Sequence, residues 1–216
     1  MPLHAPEDPQ AAEAGTRPAR RARKAAQVLE GAREVFLRDG FEGANVDDIA
    51  RAAGVSKATL YSHFGDKRLL FMEVATAECR RQADAALGSV DMDAPPREVL
   101  AFAARRMMDF FLSPIGIGVF RVVVAETGRF PQIGRTFWET GPARGRAILQ
   151  DYFARACARG ELVIDDPALA ADQFAELCKA DLWPRLIFGL AEEVSAEECA
   201  RVARGAVDMF MARYGR

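Results

Sequence analysis

The sixteen residues "VSKATLYSHFGDKRLL", Val55–Leu70, contain a short helix with an unusual outer face. Leu60 and Phe64 are four residues apart, a spacing that places two apolar side chains on one side of a helix. Ser56 is a good N-cap for this helix, and Gly65 is suited to end it. The pattern predicts a helix of about two turns that packs through two apolar side chains.

The residues before this helix predict two more helices. Asn45 is a good N-cap for a second helix, Val46–Ala53, which Gly54 ends. A first helix, ending before Gly40, has apolar residues recurring at three and four positions. These are Val28, Leu29, Ala32, Val35 and Phe36. A helix, a glycine-containing turn and a short capped helix, with a preceding helix packed across them, predict a helix-turn-helix unit.

The outer face of the short helix is rich in side chains that hydrogen-bond phosphates and base edges, and it has no acidic residue. Ala58 is small enough to let the backbone approach a groove. Lys67 begins the next helix, which Asp66 caps, and a lysine there is explained if a phosphate binds at the helix N-terminus. These residues favour contact with double-stranded DNA. The DNA contacts predicted from these residues are Ser56, Lys57, Ala58, Thr59, Tyr61, His63 and Lys67.

Positive charge is concentrated near the N-terminus although the 216-residue chain has a net charge of −2. Between Arg17 and Arg68, eleven basic residues stand against seven acidic ones. We expect residues 1–22 to form a disordered basic arm, 23–66 the DNA-binding domain and 67–216 a helical effector-binding and dimerisation domain. The sequence has no run of 18 apolar residues and no signal-peptide pattern, so we expect a cytoplasmic protein.

The rest of the chain also predicts helices, and the expected fold is all-α with about nine of them. The expected segments are 67–87, 97–112, 116–127, 131–159, 167–190 and 196–214. Pro142 is expected to kink or split one long segment, and Pro184 to bend the next. The last two segments are expected to form the homodimer interface, because their apolar stripes exceed what one helical layer needs. The stripes include Leu169, Phe174, Leu177, Val202, Val207 and Phe210.

The middle helices are rich in phenylalanine and methionine, which is typical either of plain core or of an adjustable pocket for an apolar or aromatic effector. Both interpretations stay open at this point. The candidate pocket residues are Phe102, Arg106, Phe120, Val123, Trp138, Phe174, Cys178 and Asp181.

Other classes of function are less well supported. The chain has two histidines, His4 and His63, and no nucleophile–base or metal-ligand pattern, so we expect no enzyme, metal or cofactor. Two alternatives remain: a helical ligand-binding dimer without DNA binding, and a redox-responsive regulator using Cys157 or Cys178. The four cysteines have no CxxC spacing and are expected to be reduced.

The segment "VDDIARAAGVSKATLYSHFGDKRLLFMEV", residues 46–74, resembles the DNA-binding segment of the TetR family of bacterial transcriptional regulators. The resemblance covers about residues 24–74. It implies a three-helix head and a helical ligand-binding and dimerisation domain. It also implies recognition-helix contacts from Ser56 to His63, with Asn45 and Lys67 as phosphate clamps.

The C-terminal two-thirds look like the AefR-like branch of that family, on "VVVAETGRFPQIGRTFWETGP" (122–142) and "GELVIDDPALAADQFAELC" (160–178). The resemblance implies a repressor that a small molecule releases from a palindromic operator.

Overall fold

The computed structural model describes residues 9–216, and over these residues the fold is all-α, apart from one isolated β-bridge between Leu162 and Gly215. Eleven helices follow one another in this part of the chain. They are α1 (Pro9–Gly43), α2 (Val46–Ala52), α3 (Lys57–Phe64), α4 (Lys67–Leu87), α5 (Pro96–Phe111), α6 (Pro114–Glu126), α7 (Pro131–Thr140), α8 (Pro142–Ala158), α9 (Pro167–Leu177), α10 (Leu182–Ile187) and α11 (Ala196–Tyr214).

The chain divides into two compact units, Met1–Val74 and Ala75–Arg216, which we call the head and the C-terminal unit. The division falls inside α4, eight residues beyond the boundary expected after residue 66. The first two turns of α4 therefore belong to the head, where Leu70 and Phe71 are fully buried.

The head is built on a small apolar core between α1, α2, α3 and the start of α4. Leu60 is 0% exposed, as the spacing in α3 predicts, whereas Phe64 is only half-buried. The rings of Phe36 and Phe41 lie 4.9 and 5.0 Å from the ring of Phe71. This core fixes which face of α3 points outward. The other fully or nearly fully buried residues of the head include Val28, Ala32, Val35 and Ile49.

The predicted caps of the head are confirmed. The side chain of Asn45 accepts from the backbone N–H of Asp47, and that of Ser56 accepts from the N–H of Thr59. Asp66 accepts from two backbone N–H groups at the start of α4, at 2.8 and 3.0 Å. Each cap satisfies donors that a helix N-terminus leaves without an internal partner.

The first helix differs from its prediction at its N-terminal end. Residues 9–22, expected to be disordered, lie within α1, while residues 1–8 of the predicted arm lie outside the described residues. Alanine and arginine are strong helix formers, so this stretch can extend a helix that is nucleated by the buried segment after it. The predicted end is confirmed, because Gly40 interrupts the helical backbone with a φ of 66°.

The C-terminal unit has a core of aromatic rings in mutual contact between α8, α9 and α11. The ring of Phe210 lies 5.1 Å from Phe153, 5.4 Å from Phe174 and 4.8 Å from Tyr214. The hydroxyl of Tyr152, in the same cluster, donates to the backbone oxygen of Ala94. These contacts place the centre of this unit on α11.

The two long predicted segments are both divided. The 131–159 segment splits at Gly141, directly before Pro142, as expected. The 167–190 segment breaks before α10 rather than at Pro184, at residues 178–181, where Asp181 has a φ of 65°. Pro184 lies in the first turn of α10, a position that tolerates a residue without a backbone N–H. These two breaks raise the helix count above the expected nine.

Within residues 9–216, no single helix is both long and apolar enough to cross a membrane. By length and composition, α5 and α6 pass that test only when taken as a pair, and the pair is bent by 65°.

Candidate DNA-binding site

The outward face of α3 is the candidate site, and Tyr61 is its largest exposed side chain, at 43% exposure. Lys57 and Ala58 are exposed beside it, while Thr59 and His63 are half-buried. Their orientation follows from Leu60, whose burial turns the opposite side of the helix to solvent. Acidic residues are absent from α3 itself, so this face suits a polyanion.

The two hydroxyl residues on this face are joined to each other. Ser56 Oγ lies 2.9 Å from Thr59 Oγ1, and either oxygen can be the donor. Ser56 Oγ also accepts from the backbone N–H of Thr59 at 3.2 Å. The hydroxyl of Ser62 donates to the backbone oxygen of Thr59. These bonds hold Ser56 and Thr59 in fixed positions before any ligand binds.

Lys57 is held by a residue that sequence reasoning did not select. Its Nζ lies 2.6 Å from Oδ1 of Asp47, which stands in the first turn of α2. Hydrogen bonding to Asp47 raises the pKa of Lys57, which therefore stays charged. An acidic residue in the first turn of one helix and a lysine in the first turn of the next were visible in the sequence, but their pairing depends on how the helices cross.

Lys67 is less free than a lysine that simply extends into water. Its Nζ lies 4.7 Å from the ring centroid of Phe41 and 3.5 Å from the backbone oxygen of Glu42. Partial burial lowers the pKa of Lys67. The ammonium group is thus anchored at the N-terminus of α4, where its charge would attract an anion, although Asp66 already accepts from two of the helix N–H groups there.

Asn45 uses its side-chain oxygen as the α2 cap, at 2.9 Å from the N–H of Asp47. A phosphate contact from Asn45 would therefore come from its side-chain NH₂ group. Arg20 and Arg21 of the predicted arm, and Arg23 directly after it, are exposed along α1. The helix carries these charges on a regular backbone and directs them to different sides.

The candidate effector residues fall at several separate places in the C-terminal unit. Phe174 and Cys178 belong to the buried core cluster. Trp138 is 48% exposed, with the guanidinium of Arg146 over its ring. Asp181 is exposed and forms ion pairs of 3.5 and 3.6 Å with Arg185 and Arg201. These contacts do not place the candidate effector residues around one common pocket.

The remaining candidates lie on α5 and α6. Arg106 is exposed, 5.7 Å from the ring centroid of Phe102, and also pairs with Asp109. Val123 is buried in α6. Phe120 contacts a residue that was not predicted, Trp183, with the ring centroids 4.5 Å apart.

Four of the residues expected at the dimer interface lie instead in the core of their own chain. Phe174, Val202, Val207 and Phe210 are all buried within the C-terminal unit. The stripes looked excessive because α5 also packs on α11, and α8 packs on α9. Of the predicted stripe, Leu169 is exposed and Leu177 half-buried. The most exposed apolar side chains of this region are Phe188 and Leu190, at 75% and 76%.

Burial disfavours the thiolate form of three of the four cysteines. Burial raises the pKa of Cys79 and of Cys178 to about 12, and it also raises that of Cys199. Because the thiolate is the reactive form, Cys178 is poorly suited to the redox alternative. Among the described residues, no group of three or more histidine, cysteine or acidic side chains could hold a metal ion.

The head has the architecture of a helix-turn-helix DNA-binding protein. A family model described as "Bacterial regulatory proteins, tetR family" matches residues 28–74, and one described as "AefR-like transcriptional repressor, C-terminal domain" matches residues 98–216. The chain therefore belongs to the TetR family of transcriptional regulators, with an AefR-like C-terminal domain. Members of this family bind DNA operators and small-molecule effectors and act as dimers, and they are regulators rather than enzymes.

The curated relatives match only part of this chain. The transcriptional repressor AcnR of Corynebacterium efficiens is 41% identical over 58 residues, which are 27% of this chain and 31% of AcnR. The chain spans about a third of the length of the first curated relatives that it matches.

Two solved structures match along nearly the whole chain. One, from Mesorhizobium loti and assigned to the TetR family, is 26% identical with a TM-score of 0.71, covering 91% of this chain and 99% of the other. The other, the flavonoid-responsive regulator FrrA, is 31% identical with a TM-score of 0.62, covering 90% and 98%.

Proposed function

We propose that this protein is a ligand-responsive transcriptional regulator that represses its target genes by binding a palindromic operator. The observation that carries the proposal is the polar, acid-free face of α3, which is turned outward by the buried Leu60. Lys57 and Lys67 stand in the first turns of two successive helices and place positive charge on either side of that face. Family membership and the name of AcnR support repression.

The proposed contacts divide into two kinds. Base edges are read from α3, by the hydroxyl pair, Lys57, Tyr61 and His63, with Ala58 allowing close approach. Phosphates are bound by Asn45 and Lys67, with further charge from the arginines of α1. Phosphate contacts set the position of the helix in the major groove, and the base contacts supply sequence specificity.

Operator recognition is proposed to require a homodimer. A head of this size reads few base pairs, so two α3 helices are expected about 34–36 Å apart, or at another separation that matches the half-site spacing. We propose that the interface uses the segments 168–190 and 196–214, now centred on exposed rather than core side chains. Phe188 and Leu190 are the strongest candidates because of their exposure.

Charged substitution at these two positions should separate the dimer. Phe188→Glu combined with Leu190→Glu is expected to yield a folded monomer at micromolar concentration, because burying two carboxylates in an apolar interface is strongly unfavourable. Light scattering gives the mass directly. Leu37→Glu, on an exposed leucine of the head, serves as the control and should stay dimeric. A double variant that remains dimeric would exclude this interface.

The effector is proposed to be a small apolar or aromatic molecule that binds the C-terminal unit and releases the DNA. The eight candidate residues are proposed as effector contacts. Phe120 is the best supported of them because it lies in an aromatic group with Trp183. The ammonium group of Lys179 lies 5.5 Å from the ring centroid of Trp183 and 5.2 Å from that of Phe111. The FrrA structure, described as flavonoid-responsive, is consistent with an aromatic effector. The effector must bind the two conformational states with different affinity.

A gel-shift assay with the DNA upstream of the protein's own gene tests the proposal. Salt-dependent binding that survives competitor DNA supports it. If the protein binds small aromatic compounds but no duplex, the alternative of a ligand-binding dimer replaces it. A regulator with these partners would act in the cytoplasm, which we include in the proposal.

Tyr61→Ala should weaken operator binding roughly 10- to 100-fold, the range expected for one good base contact. The melting temperature should change little, since the side chain is 43% exposed. Phe130→Ala, on a similarly exposed aromatic residue of the C-terminal unit, should leave DNA binding unchanged. A large fall in melting temperature for Tyr61→Ala would show instead that the Tyr61 ring stabilises the fold by packing.

Lys67→Met should weaken operator and random DNA alike and reduce the salt dependence by about one unit of slope for each subunit that contacts the DNA. Methionine keeps an unbranched apolar side chain against Phe41, so the loss can be attributed to the charge. Lys179→Met removes a lysine in a comparable aromatic setting of the C-terminal unit and serves as the matched control. Unchanged affinity for Lys67→Met at low salt would remove Lys67 from the phosphate contacts.

A further inference from the structure

The pair between Asp47 and Lys57 differs from four other ion pairs of the head. Those four join residues no more than three positions apart: Arg33–Glu30, Arg38–Asp39, Arg51–Asp48 and Arg68–Asp66. Asp47 and Lys57 are ten positions apart, and their contact connects the first turn of α2 with the first turn of α3. It therefore spans the two helices of the helix-turn-helix unit.

This pair is too exposed to serve mainly as a stabilising contact. The two side chains are 52% and 51% exposed, and pairs of this kind contribute little to stability. A lysine side chain without such a partner samples many conformations. The geometry of the pair instead favours one position for an ammonium group on the face proposed to read DNA.

Asp47 is itself well anchored. Its backbone N–H donates to the side-chain oxygen of Asn45 at 2.9 Å, which holds the backbone of Asp47 in place. Its carboxylate stands at the N-terminus of α2, where the helix dipole favours a negative charge. The backbone of Asp47 is thus held in place, and Lys57 has the longer and more mobile side chain of the two.

The Asp47 carboxylate and a DNA phosphate therefore compete for the ammonium group of Lys57. A contact with a phosphate of random DNA would replace one anionic partner by another, so it would add little binding energy. A guanine edge is neutral, however, and the Asp47 carboxylate does not repel it as it repels a phosphate. The ammonium group has three donors and can therefore keep Asp47 while donating to that edge in the major groove. Such a pair would disfavour contact with nonspecific DNA and would be compatible with reading a base.

We propose that Asp47 is a specificity-determining residue, which positions Lys57 toward a base edge and withholds it from the phosphates of nonspecific DNA. This inference rests on the proposed function, because it assumes that α3 reads DNA. Asp47 acts through Lys57 and is a positioning residue.

The neighbouring carboxylate provides a matched control. Asp48 lies in the same first turn of α2 and pairs with Arg51 at 2.7 Å rather than with a residue of α3. Asp47→Asn and Asp48→Asn remove the same charge from the same turn, and only the first releases Lys57. A general reduction of repulsion toward DNA would affect both variants equally.

The experiment measures binding of each variant to two duplexes over a range of salt concentrations. One duplex is selected by the wild-type protein from a randomised pool, and the other is a shuffled version of the same composition. Asp47→Asn is expected to bind the shuffled duplex roughly threefold more tightly, with a salt slope steeper by about one for each subunit that contacts the DNA. Its preference for the selected duplex should fall, whereas Asp48→Asn should keep the wild-type preference.

Two further variants test whether Asp47 acts through Lys57. In a Lys57→Ala background, Asp47→Asn should no longer steepen the salt dependence, because the ammonium group that it releases is absent. Asp47→Glu, which keeps a carboxylate within reach of Lys57, should restore most of the preference. Equal changes in Asp47→Asn and Asp48→Asn, or an undiminished effect without Lys57, would overturn the inference.

The outcome for the wild-type protein separates this inference from the proposed function. If the wild type selects no duplex from the pool, the proposed function itself fails. If it selects one and Asp47→Asn keeps the wild-type preference, only the role of Asp47 is excluded.

Discussion

Gly31→Val is expected to unfold the head and abolish DNA binding. A Cβ atom at this position would lie 2.5 Å from the backbone nitrogen of Ala53 and 2.7 Å from its Cα. Helices α1 and α2 approach each other here without room for any side chain, and the obstructing atoms are backbone, which cannot rotate away. Overpacking of this kind costs about 3 kcal/mol or more, a large part of the stability of a small unit.

The measurement combines thermal unfolding with the gel-shift assay. Gly145→Val is the control, because a Cβ at Gly145, also inside a helix, would meet nothing within 4 Å. Valine has a higher helix propensity than glycine, so the control should be neutral or slightly stabilising. Normal DNA binding by Gly31→Val would show that the two helices can move apart without loss of the recognition surface.

Phe210→Ala is expected to destabilise the C-terminal unit by about 3–5 kcal/mol, the range for removing a buried aromatic ring. Phe210 is 2% exposed and contacts three other rings, so its loss would leave a cavity at the centre of the aromatic core. The urea midpoint should fall while the m-value stays the same.

Arg204→Ala, on the exposed side of the same helix, is the control for Phe210→Ala and should change stability by no more than about 0.5 kcal/mol. A loss below about 1 kcal/mol for Phe210→Ala would mean that the neighbouring rings collapse into the vacated space.

The parts of the fold that the sequence predicted well are governed by local interactions. Ser56 and Asn45 cap their helices through hydrogen bonds to residues two or three positions away, so residue type and spacing were sufficient. Leu60 could be placed in the core because its helix is short and has few apolar residues. The outward face of α3, and hence most of the candidate DNA site, followed from that single assignment.

The parts that the sequence did not predict depend on contacts between distant residues. The pair of Asp47 with Lys57 requires the crossing of α2 and α3, which no spacing rule supplies. Likewise, the stripe on α11 looked available for a dimer until α5 was seen to pack over it. Phe210 therefore changed from a candidate interface residue to the centre of the core.

The hydroxyl pair of Ser56 and Thr59 has a consequence for how operators can evolve. Each oxygen can be the donor in their shared bond, so reversing that bond exchanges which residue offers a proton outward and which offers a lone pair. If the pair contacts bases as proposed, a base that needs a donor and one that needs an acceptor can be met by the same two residues, with no change in the backbone of α3. A mutation in the operator at the contacted base would then leave the protein a second way to bind, and regulator and target site could diverge in small steps.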